Sequence, residues 1–182
     1  MYKRQLLDFR KTESQGFRLN FAKCNITEVL KETHVRFTSL AKQKGLDFTL
    51  QVPEKDFYAH VNQEAFTKII SNLLNNGMKY AESYVHVMLE APQRDDNNLF
   101  RIRTVNDGVI IPDAMKEEIF KPFVRFNEQE DGKVTTGTGI GLALSRSLAE
   151  FHLGTLVMEA GEESNIFCLT LPVVQDTTIT LT

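Results

Sequence analysis

The sequence predicts an α+β fold, a two-layer sandwich in which helices cover one face of a mixed, mostly antiparallel sheet. Three observations carry that expectation. Two long segments, ITEVLKETHVRFTSLAKQKG and NQEAFTKIISNLLNNGMKYA, repeat apolar residues at helical spacing along one face, so each needs a partner surface on one side only. YVHVMLEA and LFRIRTV alternate apolar and polar residues on either side of the polar turn QRDDNN, the pattern of an antiparallel hairpin. Two more strand-like segments, TLVMEA and IFCLTLP, follow a third helical pattern near the C-terminus.

Taken in order, Leu6, Leu7 and Phe9 with Arg10 and Lys11 read as the end of a helix that stops before Gly16 and has no core of its own. This marks residues 1–15 as the remnant of an upstream element and the chain as a fragment. FRLNFAKC alternates as a strand. Asn25 then caps a helix whose face is Ile26, Val29, Leu30, Phe37 and Leu40, and Gly45 stops it. LDFTLQV and FYAH are strands, and Asn62 caps the next helix, with Phe66, Ile69, Ile70, Leu73 and Leu74 on its buried face. PDAMKEEIF reads as a short helix with proline at its first position. FNEQEDGKVTT has poor periodicity and is long for a connection, so residues 127–136 are expected to form a mobile lid before the helix IGLALSRSLAEF. Residues 16–173 are the domain and 174–182 a tail.

Composition narrows the function. At 182 residues one compact domain fits, and a domain of that size buries about 70% of its unfolded surface. An apolar fraction of 42% and a charged fraction of 25% are those of a globular protein. A net charge of −3 with both signs interspersed leaves no footprint for nucleic acid or an anionic membrane, so neither is an expected partner. Cys24 and Cys168 lie far apart and suggest neither a zinc site nor a disulfide framework, which favours a cytoplasmic, reduced setting. His34, His60, His86 and His152 lack ligand spacing and are expected to be structural or superficial.

The chemistry is concentrated in two stretches. In TTGTGIGLAL, Gly137, Gly139 and Gly141 permit close backbone approach and open a helix whose unpaired N–H groups and positive dipole end attract phosphate. No Gly-Lys-Ser/Thr follows, and no first βα unit precedes, so neither a Walker loop nor a dinucleotide fingerprint is present. In NLLNNGMKYA, Asn72 and Asn76 stand four apart on one helix face. Magnesium takes one or two protein oxygens beside substrate phosphates, so one amide oxygen facing a triphosphate is chemically sufficient.

Together these stretches resemble the ATP-binding catalytic domain of sensor histidine kinases, in the superfamily that also holds the gyrase and MutL ATPase domains and a heat-shock chaperone. NLLNNGMKYA is similar to the family's N-box, IFKPFVRF to its F-box and GTGIGLAL to its second glycine box, and the likeness spans residues 17–172. The resemblance implies a Bergerat-type fold, the cofactors ATP and Mg²⁺, and membership of a bacterial two-component system, with LLDFRKTES similar to the end of a dimerisation and phosphoacceptor domain of hybrid type. Residue by residue it implies catalytic roles for Asn72 and Asn76, with the magnesium contact at Asn76. It places Lys79 and Tyr80 by the phosphates and ribose, and Asn106, Gly108 and Ile111 of VNDGVIIP at the nucleotide. It gives the phosphate cradle to Gly137, Thr138, Gly139, Ile140, Gly141 and Leu142. Arg125 is expected to close with the lid, and Phe120 and Phe123 to anchor the base of the lid. In hydrolytic relatives a Glu stands where this chain has Asn72, and an amide cannot be a general base. A kinase fits better than a hydrolase.

The chain departs from the family's Asp-x-Gly-x-Gly box, with Asn106 at the Asp position and Ile110 at the second Gly. An amide still accepts from the adenine amino group, though more weakly than a carboxylate, and Asp107 is expected on the opposite side of the strand. Ile110 is expected to fill space that glycine leaves open. A pseudokinase acting as an interaction module, and a serine-directed anti-sigma-factor kinase, are the alternatives. THVRFTSL only faintly resembles a phosphoacceptor box, so the acceptor histidine is expected outside the chain. The implied partners are the upstream phosphohistidine domain and a response regulator receiver domain.

Overall fold

The computed structural model describes residues 19–92, 98–126, 138–159, 161 and 163–174. The expected N-terminal helix remnant, the hairpin turn other than Asn98, the lid at 127–136 and the tail beyond Val174 lie outside the described residues.

Among the described residues seven strands and three helices build two layers. The strands are β1 (Ala22–Asn25), β2 (Asp47–Gln51), β3 (Tyr58–Val61), β4 (Tyr84–Glu90), β5 (Leu99–Asn106), β6 (Thr155–Glu159) and β7 (Asn165–Pro172). The helices are α1 (Ile26–Lys44), α2 (Gln63–Tyr80) and α3 (Gly141–Phe151). The main sheet has the order β2-β4-β5-β7-β6, with β2 parallel to β4 and every other pair antiparallel. β1 and β3 form a separate antiparallel ribbon. The α+β sandwich expected from the sequence is therefore the observed architecture.

The helix boundaries follow their local signals. Asn25 Oδ1 accepts from Glu28 N at 3.1 Å to cap α1, whose C-terminus ends at Gly45 in the left-handed region, φ 70°. Asn62 Oδ1 accepts from Ala65 N at 2.9 Å to cap α2. Alternation in the strands then puts Val85, Val87, Leu89, Phe100, Ile102, Leu156, Phe167, Leu169 and Leu171 against the buried stripes of the helices, giving one contiguous core.

Two expectations need correction. PDAMKEEIF is not a helix: it forms two single 3-10 turns, Asp113–Met115 and Glu118–Phe120, and Pro112 precedes the first in extended geometry, φ −60° and ψ 150°. Ile119 and Phe120 are buried while the first turn buries nothing, so the segment bends to bring only its end into the core. FRLNFAKC is also shorter as a strand than its alternation predicts, because ladder pairing with β3 begins only at Ala22.

The outer sheet face is closed by charge. Arg103 at the centre of β5 pairs with Glu90 of β4 and, at 2.7 Å, with Glu159 of β6. The hydrogen bond to Glu159, against the cost of desolvation, keeps the guanidinium protonated, and the same bond holds the Glu159 carboxyl below its usual range. Cys168 lies buried alongside, its thiol pushed up to about 11 chiefly by burial. Both cysteines are free thiols.

His152, just past α3, is fully buried and links two helix ends. Its Nε2 accepts from the backbone N–H of Asn62 at 3.2 Å, and its Nδ1 meets Leu148 O at 2.6 Å, so the ring is held neutral with the proton on Nδ1. Burial lowers its pKa, outweighing the backbone hydrogen bonds. A group depressed in this way takes up protons more readily when unfolded, so its contribution is complete above the unfolded value near 6.5 and declines as pH falls below it. We expect the wild-type melting temperature to fall between pH 6.5 and 5. His152→Gln, whose amide can replace both hydrogen bonds, should show a flatter profile over that window in thermal denaturation.

Candidate functional site

The polar stripe of α2 faces the start of α3. Asn72, half-buried, uses its Nδ2 twice, donating to Gly141 O at 3.2 Å and to Ser145 Oγ at 3.1 Å. One turn further along α2, Asn76 is also half-buried, and among the described residues none hydrogen-bonds to its amide. Unlike α1 and α2, α3 has no side-chain cap: Ile140 holds the cap position with helical geometry. The first-turn N–H groups of Gly141, Leu142 and Ala143 have no partner within the helix, and the positive end of its dipole lies there. An amide oxygen and an uncapped helix N-terminus thus stand together. That is a donor set suited to phosphate oxygens with an oxygen-seeking cation beside them.

The segment before α3 is held against the 3-10 turns. Phe123 N donates to Gly139 O at 2.9 Å, and both residues have left-handed backbones, φ 67° each. A Cβ on Gly139 would come within 2.8 Å of the Phe123 carbonyl carbon, so glycine is required for conformation and for space. Phe120 is buried and meets Phe167 edge-on at 6.4 Å, whereas Phe123 is 64% exposed. Arg146 of α3 lies 3.7 Å over the Phe120 ring, donates to Leu156 O at 3.0 Å and forks onto Glu117. Its pairing holds the Glu117 carboxyl below its usual range.

The end of β5 closes the base of the cleft. Asn106 is buried on the helix-facing side, and its Oδ1 accepts from Gly108 N at 3.2 Å. Asp107 points the other way, as alternation predicts. It accepts from the backbone N–H groups of Glu82, Ser83 and Tyr84 and from the Ser83 hydroxyl, locking the turn after α2. Burial raises its pKa, but these hydrogen bonds outweigh it and lower the value to about 2. A Cβ on Gly108 would overlap the carbonyl oxygen of Tyr80, so the strand end packs directly on the last turn of α2. Contrary to expectation, Ile110 does not fill the space that a glycine would leave open: its φ is not positive, and its side chain, 40% exposed, turns outward. Ile111 N donates to Asn165 Oδ1 at 3.0 Å.

The fold thus gathers Asn72, Asn76, Ile140, Gly141 and Leu142 on one side and Asn106, Gly108 and Ile111 below. Lys79 folds onto its neighbour, its Nζ donating to Tyr80 Oη at 2.8 Å, with Tyr80 exposed. Thr138 is half-buried beside Gly139, and Arg125 is exposed, one residue before Phe126, where the described stretch ends. Gly137 lies outside the described residues. A groove of about 690 Å³ lies elsewhere, between α1 and α2 around Glu32, Val35 and Thr67, and none of these site residues lines it. Sequence reasoning missed Arg146 and Asn165. Neither belongs to a motif, and only Arg146, the single cation of GLALSRSLAEF, carried a signal.

The sequence profile of the family described as Histidine kinase-, DNA gyrase B-, and HSP90-like ATPase matches residues 61–175. Histidine kinase P4 of Formosa agariphila is 29% identical over 171 residues, covering 92% of this chain and 12% of its own. Sensor histidine kinase WalK of Bacillus subtilis is 26% identical over 168 residues, covering 92% and 27%. The chain therefore spans about a quarter or less of the length of these curated relatives. Full-length ShkA in complex with AMPPNP superposes with a TM-score of 0.79 at 19% identity, over 96% of this chain and 35% of that one.

The contact of Gly108 on α2 predicts the cost of disturbing it. Gly108→Ala should destabilise by about 2 kcal/mol or more, because backbone must move. Gly45→Ala, with open space around a left-handed residue, should cost only about 1 kcal/mol. Denaturant midpoints of the two variants compare these costs, and equal losses would show that the strand end yields freely.

Proposed function

Because this chain belongs to the Histidine kinase-, DNA gyrase B-, and HSP90-like ATPase family, we propose that it is the ATP-binding catalytic domain of a sensor histidine kinase. It transfers the γ-phosphoryl group of Mg-ATP to a histidine on an adjacent domain, within a two-component system that passes the phosphoryl group to a response regulator. The observation that carries the choice of kinase over hydrolase is Asn72. Its Nδ2 donates to a carbonyl and a hydroxyl of α3, roles that a carboxylate cannot fill, and an amide has no basicity with which to activate water.

The residues present fit the absent groups. Asn76 offers an amide oxygen without a described partner, one turn from the uncapped start of α3, and a cation held there would neutralise charge on the phosphates as the phosphoryl group leaves. Among the described residues no cluster of three or more His, Cys, Asp or Glu side chains could hold a metal by itself. The first-turn N–H groups of α3 hold phosphate oxygens, and the backbone from Thr138 to Leu142 shapes their cradle. Lys79 swings from Tyr80 to the phosphates, Tyr80 borders the ribose, and Arg125 closes over the triphosphate. The row formed by Asn106, Gly108 and Ile111 receives the base. In the transfer, the bond from the γ-phosphorus to the ADP oxygen breaks and a bond to an imidazole nitrogen of the acceptor forms. The chain contributes positioning and charge stabilisation rather than covalent chemistry. Among the described residues no helix is long and apolar enough to cross a membrane.

Two of the chain's own described histidines are engaged in the fold. His34 stacks on Phe48 at 4.2 Å, and His152 is buried. The isolated chain should therefore bind nucleotide without labelling itself, and adding the upstream phosphoacceptor domain should produce acid-labile label on a histidine of that domain. Label on His34 would overturn the assignment. In calorimetry with a non-hydrolysable ATP analogue, Asn76→Ala should abolish the gain in affinity that Mg²⁺ gives. An unchanged magnesium dependence would remove Asn76 from the site.

A further inference from the structure

The β5–β7 ladder ends at the rung Asn106–Asn165, and the turn 108–111 begins just beyond it. Side-chain packing gives this turn little to hold it. Val109 and Ile110 are exposed, and of its apolar side chains only Ile111 packs against the core. Asn165, only 3% exposed, takes over where the ladder stops. Its Oδ1 accepts from Ile111 N at 3.0 Å, and its Nδ2 donates to Val109 O at 3.0 Å and to Gly108 O at 3.2 Å. An asparagine side chain is itself an amide, so this one residue supplies the acceptor and the donors that a further rung of backbone would have offered. The same bonds fix its orientation, because the Ile111 N–H must face oxygen and the two carbonyls must face the amino group. Both amino hydrogens are thereby spent on the turn. On the α2 side, Gly108 packs so closely on Tyr80 O that no Cβ would fit. The turn is gripped from both sides by its backbone.

We propose that Asn165 is a positioning residue for ATP binding, holding the turn 108–111 in the shape that receives the base before the nucleotide arrives. The inference rests on the nucleotide reading above, which puts the base against Asn106, Gly108 and Ile111, and adds a residue that works through the turn without touching the base. Without the amide, the carbonyls of Gly108 and Val109 and the N–H of Ile111 must find other partners, and the turn leaves this shape to do so. A preformed wall removes that ordering cost from binding. Where the competent shape is populated only in part, apparent affinity falls by the same fraction.

The test is calorimetric titration of the full chain with a non-hydrolysable ATP analogue, with and without Mg²⁺, beside hydrogen exchange at the Ile111 amide. The proteins compared are wild type, Asn165→Ala, Asn165→Leu and Val61→Ala. Both Asn165 variants should weaken the analogue about tenfold. The gain from Mg²⁺ should stay that of wild type, because cation and phosphates are placed at the start of α3. Ile111 should be protected in nucleotide-free wild type and lose that protection in both variants. Asn165→Leu keeps the volume of the side chain, so it carries the test if Asn165→Ala does not fold. Val61 is buried in the β1–β3 ribbon, so Val61→Ala should lower the melting temperature and leave affinity alone. Unchanged affinity in the Asn165 variants, an equal loss in Val61→Ala, or an altered Mg²⁺ gain would overturn the inference while leaving the nucleotide site standing. An unprotected Ile111 amide in nucleotide-free wild type would do so whatever the variants show. Failure of wild type to bind the analogue at all would overturn the nucleotide reading with it.

Discussion

Everything at the site depends on how α3 is set against α2, and two hydrogen bonds from one amide set it. Asn72 Nδ2 reaches the carbonyl of Gly141 and the hydroxyl of Ser145, the latter fully buried. The bonds join residues 69 and 73 positions apart, so they fix the first turn of α3 in space as well as in sequence. Leaving those groups unpaired in the core would cost about 1–3 kcal/mol each. Because the amide is spent on structure, the next turn of α2 is left to present Asn76. The start of α3 is left without a side-chain cap, and among the described residues none hydrogen-bonds to the Asn76 amide.

The second wall of the cleft is held from behind. Arg146 lies over Phe120, reaches Glu117 and touches β6 through Leu156 O, so the same helix that offers its N-terminus also carries the segment leading to Phe123. Phe123 and Gly139 then meet backbone to backbone. The floor is made by β5 and β7, where Asp107 and Asn106 divide the work. Asp107 fixes the turn after α2 from the outside, and Asn106 remains on the inside with Asn165. A buried amide pair carries no charge to desolvate, which lets it sit at 3% exposure without an ionic partner.

Much of this was legible because it is local. Asn25, Gly45 and Asn62 announced helix ends through hydrogen bonds spanning three or four residues, and strand alternation placed Asp107 opposite Asn106. The motif stretches NLLNNGMKYA and GTGIGLAL stood out because glycine and asparagine at those positions answer to backbone and ligand geometry rather than to a core. PDAMKEEIF misled, since its apolar spacing fits a helical turn equally well and only the need to seat Ile119 and Phe120 beneath Arg146 bends it into two.

What the sequence determined by itself was the class of fold, the order of its elements, the family resemblance and the candidate residues, because these rest on periodicity and on neighbours along the chain. What only the tertiary structure decided was the direction of each amide. Asn72 turns its amino end to α3 and Asn106 turns its oxygen to Gly108 and Asn165. An asparagine offers a donor and an acceptor of nearly equal size, so its identity alone leaves both orientations open. The choice between them belongs to backbone groups that folding brings up from distant parts of the chain.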